Sequence, residues 1–126
     1  VTKPPATPAE VPAPLWRRLF AEFLGTGLLV AVIVGSGIAA QQLSPNDVGI
    51  QLLENSTATV FGLAVLILML GPVSGAHFNP VVSLADWFLG RRTSTGLALR
   101  DVAAYTVAQL VCPPTGSMIV DWLEDG

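Results

Sequence analysis

Apolar residues dominate two long stretches: Phe23 to Ala40 and Ser56 to Ala85 carry no Asp, Glu, Lys or Arg. At a helical rise of about 1.5 Å per residue, the first reaches about 27 Å, close to the hydrocarbon thickness of a bilayer at about 30 Å. Pro14 is a helix-start signal and Ser44-Pro45-Asn46-Asp47 a stop and turn, so the pattern predicts a first helix over 15–43. A second helix is expected over 55–70, closed by Gly71-Pro72. A third is expected over 97–120, apolar from Val102 to Cys112 and disrupted at Pro113-Pro114. Between the last two lies 71–89, whose apolar part, Val81 to Leu89, is about 14 Å long as a helix and too short to span. It follows an irregular run, Gly-Pro-Val-Ser-Gly-Ala-His-Phe-Asn-Pro. Lipid leaves the backbone groups of such a run unsatisfied, so it must be buried in protein or line a wet cavity.

Composition sharpens this picture. Of 126 residues, 52% are hydrophobic and 12% charged, and the mean hydropathy is +0.63, outside the range of ordinary soluble domains. Six basic against nine acidic residues leave no basic patch for nucleic acid. One cysteine and one histidine exclude an internal disulfide and a His/Cys metal cluster, and no cofactor motif is present. The Pro/Ala-rich prefix 1–14 is expected as a disordered arm and 121–126 as an acidic tail; the prefix does not have the form of a secretory signal. Lys3, Arg17 and Arg18 precede the first helix, and Arg91, Arg92 and Arg100 precede the third. The loop between the first two helices holds Asp47 and Glu54 and no base. By the positive-inside rule the N-terminus is cytoplasmic, and 71–89 dips into the membrane and returns.

Asn79-Pro80 carries the chemistry. Asn is a preferred N-cap and Pro a preferred first helical residue, so a short helix starts at Pro80. If it starts deep in the membrane, its free amides place about half a positive charge there, discouraging cations and protons but not neutral hydrogen-bonding solutes. The Asn79 amide is then a donor, and the carbonyls of Gly75, Ala76 and His77 are acceptors.

These residues resemble the N-terminal half of the aquaporin and aquaglyceroporin (major intrinsic protein) family. The resemblance rests on Ala21-Glu22-Phe23-Leu24-Gly25-Thr26, Ser74-Gly75-Ala76-His77-Phe78-Asn79-Pro80 and Tyr105-Thr106-Val107-Ala108-Gln109, in that order. It implies an all-α membrane protein, one half of an inverted repeat with three crossings and a re-entrant half-helix. It further implies that Asn79, Pro80 and Val81 form the pore motif and that Gly75, Ala76 and His77 line the path with carbonyls. Glu22 would be the buried acid holding the loop, and Thr59 or the nearby aromatic Phe61 would stand at the selectivity filter. The motif departs from the family at Val81, where Ala is usual.

Blander readings accompany these. His77 is expected to offer its carbonyl rather than act as a base, Asp86 to balance Arg91 and Arg92, and Cys112 to be an inert thiol. Gly27, Ala31 and Gly35 are expected as a small-residue packing stripe. The reading that follows is a non-enzymatic, partial channel polypeptide of the cell membrane, passing water or a glycerol-like neutral solute once complete, with a homotetramer implied for the complete protein. The alternative is a non-conducting fragment or an interaction element of the membrane.

Overall fold

The computed structural model describes residues 11–124, with side chains beyond Cys112 described only at Met118. The expected arm up to residue 10 and the final two residues of the expected tail lie outside the described residues. Four helices follow in order: α1 (Leu15–Leu43), α2 (Val48–Ser74), α3 (Pro80–Gly90) and α4 (Leu99–Glu124), with no strand among the described residues.

Three limits differ from the sequence expectation by more than two residues. α2 starts at Val48 rather than Asn55 because Asp47 caps it, its Oδ1 accepting from Ile50 N at 3.0 Å. It continues through Gly71-Pro72 to Ser74, since an exposed proline in the last turn removes a single backbone bond, and Gly75, at φ 91°, closes the helix by donating to Gly71 O at 2.9 Å. α4 runs unbroken past Pro113-Pro114 to Glu124 rather than ending at 120. In lipid the helix is the one local conformation that satisfies its own backbone, which opposes a break there.

α1 is central. It packs on α2 with descending register (Ser44 with Glu54, Ile33 with Asn55), so those two helices are antiparallel. It packs on α4 with ascending register (Arg18 with Asp101, Glu22 with Gln109), so those two run parallel. α3 lies on α4 and does not pack on α2. Asn55 crosses the α1/α2 seam to donate to Ile33 O at 2.8 Å, and a side chain at Gly62 would meet Val32 Cγ1 at 2.9 Å. The small-residue stripe is only partly used. Gly35 faces open space, whereas Gly27 abuts the Cys112 Sγ, and Gly25 receives the Phe78 ring, whose Cδ1 would lie 2.6 Å from an added Cβ.

Little apolar surface is buried, and residues such as Leu68, Met69 and Phe61 are largely exposed. Water would penalise that arrangement and lipid does not. α1 and α2 are long and apolar enough to cross a membrane. α3, with 11 residues, is about 16 Å long and cannot.

Candidate functional site

The site grows from two stripes of polar residues spaced four apart, Arg18 and Glu22 on α1 and Asp101, Tyr105 and Gln109 on α4. Such spacing stacks side chains on one helix face. Parallel packing brings the stripes together as rungs. On the first rung, Arg18 Nη1 pairs with Asp101 Oδ2 at 3.2 Å. On the second, Arg18 Nε donates to Tyr105 Oη at 3.0 Å, and that fully buried hydroxyl donates to Ser74 O at 2.8 Å. On the third, Gln109 Nε2 donates to Glu22 Oε2 at 2.8 Å and to Ser83 Oγ at 3.1 Å.

The irregular loop between α2 and α3 is pinned on this ladder. Glu22, 0% exposed, accepts from His77 N through Oε1 at 3.0 Å and from Phe78 N through Oε2 at 2.7 Å. Ala76 N donates to Ser74 Oγ at 3.1 Å. Ala76 and Phe78 hold positive φ of 52° and 51°, uncommon for residues with a side chain and sustained here by these bonds. A trans peptide points its N–H and C=O in opposite directions. Because the amides of Ala76, His77 and Phe78 turn toward Ser74 and Glu22, the carbonyls of Gly75, Ala76 and His77 turn to the other side, where they accept no bond among the described residues.

Asn79 caps α3 with Oδ1, which accepts from Val81 N at 2.8 Å. That leaves its side-chain NH2 group as a donor on an exposed residue beside the three carbonyls. Pro80 occupies the first helical position, and Val81, next in the chain, is 71% exposed. Below the loop, His77 Nδ1 lies 3.0 Å from Ser83 Oγ, and its ring meets Tyr105 edge-on at 5.5 Å between centroids. A cavity of about 380 Å³ opens beside the loop entry, bounded by Arg18, Asp101, Ser74 and Gly75.

The structure thus brings Glu22, Gly75, Ala76, His77, Asn79, Pro80 and Val81 into one constellation. Thr59 and Phe61 lie on α2 and make no hydrogen bond to that constellation; the Thr59 hydroxyl is buried without a partner among the described residues, and Phe61 is 68% exposed. Asp86 Oδ2 accepts from Leu97 N at 2.9 Å, and Asp86 makes no direct ion pair with Arg91 or Arg92 among the described residues. Arg18, Asp101 and Ser83 were not singled out from sequence. The four-residue spacing of Asp101, Tyr105 and Gln109 on an otherwise apolar helix was the available signal.

Comparison with known proteins agrees with this geometry. The sequence model of the family described as "Major intrinsic protein" matches residues 10–126. Aquaglyceroporin AqpS of Rhizobium meliloti is 48% identical over 111 residues, 88% of this chain and 45% of that protein. Aquaporin AqpM of Methanothermobacter marburgensis is 35% identical over 119 residues, 83% of this chain and 46% of that protein. The glycerol uptake facilitator protein of Pseudomonas aeruginosa is 34% identical over 121 residues, 92% of this chain and 42% of that protein. The chain spans about half or less of the length of these relatives, and no solved structure gives a significant match.

Proposed function

This chain belongs to the major intrinsic protein family, and from that premise we propose that it supplies one half of a membrane pore for passive diffusion of water or a small neutral, glycerol-like solute. The observation that carries the reading is the three-carbonyl edge at Gly75, Ala76 and His77 ending at the Asn79 donor. A hydroxyl solute exchanges water partners for these acceptors and that donor, so it crosses without losing hydrogen bonds. A cation meets the N-terminal end of α3, where the helix dipole opposes it. Nothing in the passage is covalent, and no side chain acts as a base.

Chain lengths support this topology. Residues 75–79 can reach inward by at most about 17 Å and α3 returns about 16 Å, lengths compatible with Pro80 near the middle of a slab of about 30 Å. Arg17, Arg91 and Arg92 then share the cytoplasmic side, with the N-terminus, at a cell membrane. The other wall of the pore must come from an inverted half-repeat, which covers the exposed face of α3, and four complete pores associate as the family resemblance implies. Glu22 acts as the tether of the loop. Thr59 remains the filter position proposed on α2, with Phe61 as its aromatic alternative.

The test is osmotic permeability in proteoliposomes by stopped-flow light scattering. The chain alone is expected at the level of empty vesicles. Joined to an inverted C-terminal half-repeat of a glycerol facilitator it is expected to conduct, and Asn79→Leu in that fusion is expected to abolish the gain. A correctly inserted fusion that stays at background, or one indifferent to Asn79→Leu, rejects the pore reading and favours a non-conducting membrane element docking through Val81 and Leu84.

A further inference from the structure

The turn that ends α3 carries two adjacent arginines that the pore reading uses only to set the side of the membrane and gives no contact. Arg91 and Arg92 are exposed, and neither has a carboxylate within ion-pair distance among the described residues. The nearby acids are engaged elsewhere: Asp101 holds Arg18 and Arg100, and Asp86 holds Leu97 N. The helix C-terminus does not consume the two cations either. Trp87 O accepts from Arg91 N at 3.1 Å, and Gly90 O accepts from the backbone N–H groups of Thr93 and Thr95 at 3.2 and 3.3 Å.

The turn is also braced. Gly90 and Gly96 approach so closely that a side chain on either would collide with the other's backbone. The Arg91 guanidinium stacks over Trp87 at 4.8 Å, which limits its freedom further. One guanidinium is thus braced on Trp87 with a second, exposed arginine next to it in the chain, a pair of like charges open to an anion. Their surroundings select the kind of anion. A cleft of about 330 Å³ is lined by both arginines and by Phe88, which is 64% exposed, and Leu89 beside it is more exposed still. A soluble phosphate leaves that apolar rim in water, whereas a lipid covers it.

We propose that Arg91 and Arg92 form a binding site for the headgroup of one anionic glycerophospholipid, with its acyl chain against Phe88 and Leu89. The proposal rests on the re-entrant topology proposed above and not on conduction. Its effect is to fasten the returning end of α3 to the cytoplasmic leaflet, where anionic lipids attract basic residues.

The test uses the chain with Trp16→Phe and Trp122→Phe, so that Trp87 is the sole tryptophan, reconstituted in phosphatidylcholine vesicles. Quenching of Trp87 is measured as either brominated phosphatidylglycerol or brominated phosphatidylcholine is titrated in. Phosphatidylglycerol is expected to associate about tenfold more strongly. That preference is expected to vanish in R91Q/R92Q, to survive in R91K/R92K at reduced strength, and to be unchanged in R100Q, whose arginine faces Asp101. Circular dichroism of each variant confirms that helix content is retained.

Equal quenching by the two lipids, or a preference that persists in R91Q/R92Q, overturns the site. Displacement of the lipid by millimolar glycerol 3-phosphate overturns its assignment to a lipid. Absence of quenching by both brominated lipids instead removes Trp87 from the bilayer, and the membrane reading of α3 with it.

Discussion

Glu22→Gln changes one oxygen to an NH2 group at the centre of the loop's support. The carboxylate accepts three bonds, from His77 N at 3.0 Å, Phe78 N at 2.7 Å and Gln109 Nε2 at 2.8 Å. A glutamine can orient its oxygen toward Phe78 and Gln109, losing the bond to His77 and placing two donors face to face there. The opposite orientation loses two bonds and is worse. A hydrogen bond to a carboxylate contributes about 1.5–3 kcal/mol, a neutral one about 0.5–1.5. One lost and two weakened bonds sum to about 3.5–6 kcal/mol, and a cost of roughly 3 kcal/mol, just below that range, is expected because intramembrane bonds measure weaker than those figures. That corresponds to opening of the loop about 150-fold more often, at about 1.4 kcal/mol per tenfold. Amide hydrogen exchange of the purified chain in nanodiscs, followed by mass spectrometry on the segment 74–79, reads this directly. Exchange at His77 and Phe78 is expected to accelerate by two orders of magnitude while α1 and α2 keep their protection. A change below threefold would mean that Glu22 does not hold the loop.

Other substitutions probe the remaining supports. Tyr105→Phe keeps the ring against His77 but removes the hydroxyl linking Arg18 to Ser74 O, leaving a buried carbonyl unpaired; destabilisation of about 1–3 kcal/mol is expected, read from the unfolding midpoint in mild detergent. Gly25→Ala drives a methyl into the Phe78 ring and is expected to cost about 1–3 kcal/mol, whereas Gly35→Ala, with nothing within 4 Å, leaves the same midpoint unchanged or slightly raised. Asn55→Leu deletes the bond to Ile33 O across the α1/α2 seam, and a loss of about 1 kcal/mol is expected in a steric-trap or denaturant titration.

The all-helical class was legible because charge-free stretches of this length admit few other structures in lipid. The half-helix was legible at Asn79-Pro80, where cap and proline preferences coincide. Helix ends were harder. Asp47 was read as part of a stop, yet the same side chain that suits a turn caps α2 and starts it earlier. Gly71-Pro72 and Pro113-Pro114 read as breaks on rules drawn from helices in water; the first costs a single bond in an exposed last turn, and at the second lipid offers an interrupted backbone no partner.

The site was legible where a residue type is unusual for its surroundings, as with Glu22 in an apolar helix. It was not legible where the role depends on register between helices distant in sequence. Arg18 meets Asp101 across 83 residues and Gln109 meets Ser83 across 26, and nothing local announces either pair. Asp86 illustrates the same point: it is close to Arg91 and Arg92 in sequence, yet it accepts from the Leu97 backbone amide beside the close Gly90–Gly96 contact and ion-pairs directly with neither among the described residues.

The central claim is that α3 begins inside the bilayer and returns to the side from which the loop entered. In a Cys112→Ser background, single cysteines at Val11, Asn46, Val81 and Ser94 are spin-labelled in oriented proteoliposomes, and accessibility to membrane-impermeant nickel and to oxygen gives sidedness and depth together. Labels at Val11 and Ser94 are expected on one side, Asn46 on the other, and Val81 about 15 Å deep. A Ser94 label on the side of Asn46, or a Val81 label at the aqueous surface, would contradict the account.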